Sequence, residues 1–495
     1  MEHMTTTLVE TAYGKVQGTQ DGDILVWKGI PYAQPPLGTL RFHAPQPLSS
    51  WSGVRDATQF SLVARQPAID AGGLLGGQQE AMDEDCLYLN IWSPGTNHAK
   101  RPVLVWIHGG SFLTGSGSTP WYDGAAFAAH GDVVVVTINY RLGALGFLYL
   151  GDLDAEQYAS GNYGILDQVA ALQWVHENIA AFGGDAQNVT IFGESAGAMS
   201  VGTLMGMPAA RDLFQKAILQ SGASSNVFDR GQATKRAITF LDALGLPREQ
   251  LAQLAEMPLT QLMAAQEKLV NNTAGLAFSP VIDGVTLPTR PLDAIAHGSA
   301  AHVTTLIGTN RDEMRLFTAF DPQQAQPNQA LLQHYFGRQA EQVMATYSSH
   351  TDAPTAAWND ILTDRTFRLP AIRLAEQQVA QGAGVWMYRF DWPTPVLNGL
   401  LGACHALEIP FVWDNLHQKG VKAFTGDAST RQPLADCMHS AWILFAQHGN
   451  PHTPVLPEWP AYDSEQRATM IFDETCRIAH DPQGEERRFW DGVIA

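Results

Sequence analysis

A serine set between two glycines, Gly193-Glu194-Ser195-Ala196-Gly197, directly follows the apolar run Val189-Thr190-Ile191-Phe192. This reads as a buried strand that stops on a sharp strand-to-helix turn. Glycine is needed at 193 and 197 because only a residue without Cβ lets neighbouring chain approach that closely. Ser195 then stands at the start of a helix, Ala196 to Met207, whose free N–H groups and dipole favour negative charge. Negative charge is what develops on a carbonyl oxygen under attack, so the chemistry suggested is acyl transfer. A chain with 45 glycines produces such spacings by chance. The strand before this one and the small-residue helix after it supply the context the motif requires.

A serine hydroxyl is a poor nucleophile unless a base takes its proton, and histidine suits that role near neutral pH. A carboxylate on the other ring nitrogen would fix the tautomer and stabilise the imidazolium. Among 16 histidines, His405 stands out because it follows a strand, Val385 to Phe390, and comes after a candidate acid. His448 is the rival, but it ends a helix far from any strand terminus. For the acid, Asp312 and Glu313 both follow the strand Val303 to Ile307, and position alone does not separate them. His108-Gly109-Gly110 follows the strand Pro102 to Ile107. Its glycines allow successive N–H groups to point at one oxygen, with Ala196 adding a further donor.

The elements that must bring these loops together are strands buried on both faces, Pro102 to Ile107, Val133 to Ile138, Val189 to Phe192, Ala217 to Leu219, Val303 to Ile307 and Val385 to Phe390, separated by helices. Ile165 to Phe182 has helical periodicity closed by Gly183-Gly184. The pattern is helical again over about 230 to 275 and 325 to 382. Such alternation predicts an α/β fold with a large, mostly parallel, doubly wound sheet, preceded by small antiparallel strands over residues 8 to 32. In a parallel sheet every strand's carboxyl end lies on one edge, where ligands bind. Nothing divides residues 1–495, so a single domain is expected. Residues 64 to 82, with Gly72-Gly73 and Gly76-Gly77, read as a mobile surface loop, either a gate or a plain connector. The acidic run Asp83-Glu84-Asp85 has no histidine at ligand spacing and reads as a paired or solvated turn rather than a metal site.

The formal charge of −19 disfavours sequence-independent binding to phosphate backbones or anionic membranes and suits neutral or cationic small substrates. No apolar run approaches the roughly 20 residues that span a bilayer. The four cysteines, at 86, 404, 437 and 476, show no paired short spacing, so free thiols in a reducing compartment are expected. With no cationic and apolar leader pattern at the start, a cytoplasmic location is the expectation; the sequence leaves the oligomeric state open, with a monomer slightly favoured.

These motifs together resemble the type B carboxylesterases, the α/β-hydrolases that include the cholinesterases, and within them the bacterial para-nitrobenzyl esterases. The resemblance spans nearly the whole chain. It rests on Lys28 to Ala33, Leu40-Arg41-Phe42, Glu84 to Asn90, the His108 loop, Asn139-Tyr140-Arg141, Asn162 to Gly184 and the elbow. Further matches are Gly308 to Glu313, His405-Ala406-Leu407-Glu408, and Gly449-Asn450-Pro451 through Trp459-Pro460. It implies Ser195 as nucleophile, Glu313 as acid and His405 as base, with oxyanion donors from the backbone of Gly110, Ser111 and Ala196. It also implies buried ion pairs of Arg41 with Glu84 and Arg141 with Asp167, supporting roles for Glu194 and Ser221, and no metal or organic cofactor. Ser111 departs from the glycine often found in this loop. Cys86 would pair with an upstream cysteine in secreted relatives, and none precedes it here.

The expected reaction is hydrolysis of short- to medium-chain or aryl carboxylic esters by water through an acyl-Ser195 intermediate, since no lid is evident beyond residues 72 to 77. Carbamates, amides or longer lipids on the same groups are the alternative, and a non-catalytic binding protein on this fold is the outlying one. Pocket walls are expected from Phe112, Leu276, Phe278, Phe317 and Leu401.

Overall fold

The computed structural model describes residues 7–67, 80–273, 275–320, 325–349, 351 and 353–493. The strands buried on both faces form the centre of an eleven-stranded sheet. In chain order its strands are β1 (Thr19–Asp21), β2 (Ile24–Pro31), β3 (Tyr88–Ser93), β4 (Arg101–Ile107), β5 (Val134–Ile138), β6 (Gly184–Glu194), β7 (Lys216–Gln220), β8 (Thr304–Asn310), β9 (Val385–Phe390), β10 (Ala468–Phe472) and β11 (Arg477–His480). Across the sheet they lie in the order β11-β10-β9-β8-β7-β6-β4-β5-β3-β2-β1. Neighbours from β10 through to β5 run parallel, while β11 and the β3-β2-β1 flank run antiparallel. This is the α/β-hydrolase architecture. A separate three-stranded sheet is formed by Leu8–Thr11, Gly14–Gln17 and Val54–Asp56.

Each central strand must satisfy two cores at once. Along β4, Val103, Val105 and Ile107 join one cluster while Leu104 and Trp106 join the cluster on the opposite face. Alternate side chains of a strand point to opposite faces, so an uninterrupted apolar run is what this position demands. Helix α1 (Tyr163–Asn178) and helix α2 (Ala196–Met205) cover the first face. The long helix α4 (Arg431–His448) covers the second, with Met438, Trp442 and Phe445 buried in its cluster. Helix α3 (Leu369–Ala380) continues from a π-helical turn, Asp364–Arg368, in the helical region before β9.

One strand assignment is corrected. Val385–Phe390 is not the last strand, because Ala468–Phe472 extends the sheet in parallel and Arg477–His480 closes its edge. A five-residue apolar run cannot be told from a helix segment by periodicity, and β11 carries half-exposed side chains without alternation. The loop expected over 64 to 82 lies mostly outside the described residues. Its described ends pair, Val63–Ala64 with Met82–Asp83, as a short parallel ladder.

Two buried ion pairs lock loops to this frame. Arg41 meets Glu84 through two hydrogen bonds of 2.7 and 2.6 Å, and its Nη1 donates to the carbonyls of Leu254 and Met257. Arg141, just after β5, grips Asp167 of α1 at 2.8 and 2.7 Å, with side chains 3% and 0% exposed. Removing one partner strands a buried charge, so Asp167→Ala is expected to lower unfolding free energy by about 3–5 kcal/mol. Replacing both partners with apolar residues is expected to cost far less. Chemical denaturation of the single and double variants checks this, and equal losses would show that packing rather than unpaired charge dominates.

Candidate active site

Ser195 joins β6 to α2 at φ 54° and ψ −123°, a strained conformation for a residue with a side chain. The turn holds because its flanks are bare: a Cβ on Gly193 would lie 2.6 Å from the Ile107 carbonyl oxygen, and one on Gly197 only 2.0 Å from it. From the far side, the Ser195 N–H donates to the Gln220 carbonyl at 2.9 Å, and a Cβ on Gly222 would meet the Ser195 carbonyl at 2.6 Å. Ser221, between them, is fully buried at φ 52° with a hydroxyl that finds no partner, and its N–H donates to the Gly308 carbonyl at 2.9 Å.

Of the adjacent pair Asp312 and Glu313, it is Glu313 that meets the imidazole. Glu313 Oε2 lies 2.7 Å from His405 Nδ1, and its Oε1 accepts the Asn310 N–H at 2.8 Å. Asp312 instead faces Arg311 and Arg315 and accepts the Ala403 N–H at 2.9 Å, which fixes the loop that carries His405. His448 is the last, exposed residue of α4. Phe317 and Phe367 pack on the His405 ring, with centroids 5.1 and 4.8 Å away, and Phe367 comes from the π-helical turn. Phe367 was not anticipated from the sequence, because a π turn inside a helical pattern leaves no periodic signal.

His405 Nε2 does not hydrogen-bond Ser195 in this structure. It lies 3.0 Å from Glu194 Oε1, too oblique for a hydrogen bond, and that oxygen has no other partner. Serine and imidazole line the same cavity, and catalytic hydrogen bonds commonly tighten only around substrate. Burial alone would depress the imidazole, but the Glu194 and Glu313 carboxylates outweigh it and push His405 up. Burial pushes the Glu194 carboxyl up, His405 pulls against that, and Glu408 and Glu313 add to the rise. Glu408 is itself fully buried and receives hydrogen bonds from Asn310 at 2.6 Å and Gln220 at 3.1 Å. It was quoted in the sequence motif without a role, and only the fold shows it joined to the strand ends.

Gly110 and Ser111 line the cavity with Ser195, and Ala196 is the residue that follows the serine. Gly110 has φ 107°, and a Cβ there would lie 2.2 Å from the Thr114 carbonyl oxygen. Ser111 is exposed at φ 58° and lines the cavity beside Gly110. Ala196 begins α2, where the first N–H groups have no carbonyl one turn earlier. The cavity measures about 990 Å³. Of the five expected wall residues, Phe317 lines it. Phe112, Phe278 and Leu401 are instead buried core, and Leu276 packs half-buried against that core. Apolar side chains near a site fill a core as readily as they face a void, and composition does not distinguish the two.

A serine on a strained elbow and a buried imidazole–carboxylate pair at the carboxyl edge of a parallel sheet make a serine hydrolase arrangement. The comparisons agree: the profile described as the carboxylesterase family matches residues 5–490, and the chain belongs to that family. It is 44% identical to the para-nitrobenzyl esterase of Bacillus subtilis over 98% of each chain. It is 36% identical to the phenmedipham hydrolase of Pseudarthrobacter oxydans over 97% of each. A solved carboxylesterase of Geobacillus stearothermophilus superposes with a TM-score of 0.90 at 46% identity, covering 98% of this chain and 100% of that one. The protein is therefore a carboxylic ester hydrolase.

Because the neighbouring carboxylates hold the proton on His405, the base form is reached above the ordinary histidine value of about 6.5. The acidic limb of kcat/KM against pH is expected above that value. Glu194→Gln removes one carboxylate, so the limb moves to lower pH; a limb that stays put or moves up would show that Glu194 does not set the ionisation.

Proposed function

We propose that Ser195 attacks the ester carbonyl while His405, steadied by Glu313, takes the serine proton and returns it to the leaving alcohol. The backbone N–H groups of Gly110, Ser111 and Ala196 hold the oxyanion, and water releases the acyl group from Ser195 by the same steps in reverse. The observation that carries this reading is the 2.7 Å contact of His405 Nδ1 with a fully buried Glu313, on a loop that faces the strained serine across one cavity. Losing one oxyanion donor typically costs about 10²–10³ in turnover.

Short- to medium-chain and aryl esters are the expected substrates, para-nitrobenzyl esters among them by likeness to the Bacillus relative. The volume of the cavity, about 990 Å³, suits an aryl ester. A cytoplasmic location completes the reading. It is supported by the unpaired, buried thiols of Cys86 and Cys404 and by the fact that no helix among the described residues is long and apolar enough to cross a membrane.

Hydrolysis of p-nitrophenyl esters from acetate to palmitate tests both parts. Activity is expected to fall off toward the long chains, and Ser195→Ala to lose about 10⁴-fold or more on every ester. Equal activity of that variant and the parent would end the nucleophile assignment. Glu313→Gln is expected to cost far more in kcat than Asp312→Asn, and the reverse result would reassign the acid.

A further inference from the structure

Two of the four cysteines meet at the edge of the sheet, and ester hydrolysis uses neither. Cys437 lies in the first half of α4. Leu434, one turn before it, and Ala441, one turn after it, are both buried, so its side chain lies along the margin of the face that α4 turns to the sheet. Cys476 ends the turn that leads from β10 into β11. That helix and that strand are in contact, Trp442 of α4 packing on Phe472 of β10 with ring centroids 6.0 Å apart. Both cysteines pack half-buried against the same core cluster, and their thiols hydrogen-bond to each other. Cys476 Sγ also lies 3.9 Å from the Asp473 carbonyl oxygen.

That contact divides the two sulfurs chemically. The S–H of Cys476 donates to Cys437 and holds that thiol down at about 7, while burial and Asp436 pull against the fall. Cys476 moves the other way, because its proton is engaged there and burial disfavours its charge. A sulfur that ionises easily beside one that keeps its proton is the pairing that exchanges disulfides, one attacking and the other resolving. Cys86 and Cys404 are instead fully buried, and burial pushes both thiols far up, which leaves them inert. Asp436, Glu474 and Thr475 beside the pair are exposed, so a small solute reaches it from solvent. β11 is the outermost strand, so drawing the two sulfurs to bonding distance moves no central strand.

We propose that Cys437 and Cys476 form a redox couple that small disulfides oxidise, closing a bond that fastens α4 to the outer edge of the sheet. The Cys437 thiolate attacks one sulfur of the small disulfide, takes up that half and expels the other as a thiolate. Cys476 then gives its proton to solvent and attacks Cys437 Sγ, expelling the second half. Two cysteine thiols lose two electrons, the small disulfide gains them, and the two protons end on its two thiols. The new bond restricts the unfolded chain between residues 437 and 476. This couple stands apart from the reading of Ser195.

Oxidised glutathione in excess, added to the native protein and quenched with acid before unfolding, tests it. Titration is expected to fall from four thiols to two, the intact mass to drop by two hydrogens, and peptide mapping to find Cys437 and Cys476 in one crosslink. Excess reduced glutathione is expected to reopen the bond. Cys476→Ser is expected to stop at one glutathionyl group on Cys437, and Cys437→Ser to react about tenfold more slowly. Closing the bond is also expected to raise the Tm of the parent by about 3 °C or more and to leave that of Cys437→Ser unmoved. Four thiols that persist, two glutathionyl groups that never resolve, or a crosslink through Cys86 or Cys404 overturn the couple. Equal rates in the two variants overturn the order of attack, and a closed bond with an unmoved or lowered Tm overturns the fastening. Peptide mapping of the parent decides the first point even where a variant fails to fold.

Discussion

The constraint on which the rest of the site depends is the contact of the elbow glycines with the end of β4. Gly193 and Gly197 both lie against the Ile107 carbonyl, at distances where no side chain fits. Ile107 is the residue before His108 and the Gly109-Gly110-Ser111 turn. One backbone contact therefore sets the serine and the oxyanion loop in register with each other, and the strain at Ser195 is held by β4 on one side and Gln220 on the other. The sheet order makes this work: β6 lies directly beside β4, so the two loops leave the same edge as immediate neighbours.

Around the imidazole the fold gathers the buried carboxylates of Glu194, Glu313 and Glu408, with no lysine or arginine in ion-pair contact with them among the described residues. Glu313 and Glu408 offset their burial with N–H donors from Asn310 and Gln220. Glu194 has no such donor on Oε1 and relies on His405. Desolvated carboxylates that lack full hydrogen bonding hold protons more readily, and burial pushes the Glu194 carboxyl up while the nearby His405 pulls against it. The acid neighbours of the site, Asp312 and Glu313, divide two tasks: one ties down the 403–405 loop and the other orients the ring.

Much of this was legible in the sequence because parallel strands buried on both faces leave long apolar runs, and because the elbow requires glycine for steric reasons. Ser195, the strand before it and the helix after it are where those rules place them. What was hidden depended on pairings across the fold. Asp312 and Glu313 are adjacent in sequence, and only the turn after β8 decides which of them faces His405. The hydrogen bonds of Ser116 and Ser118 to Glu80 span separations of 36 and 38 residues, with no periodicity to announce them. Phe112, Leu276, Phe278 and Leu401 were expected as walls because apolar character is the same on either side of a cavity lining. The β10–β11 hairpin escaped notice because short apolar runs fit strand and helix equally.

The pairing of Val63–Ala64 with Met82–Asp83 is reinforced on both sides of the connection between them. Gln66 exchanges two hydrogen bonds with the Gly115 backbone, at 2.7 and 2.9 Å, and Glu80 grips Ser116 and Ser118. The two ends of residues 68–79 are thus fastened to one short stretch of chain beside the oxyanion loop. A change that frees either Gln66 or Glu80 would unfasten one side of this ladder from the chain that carries the oxyanion loop.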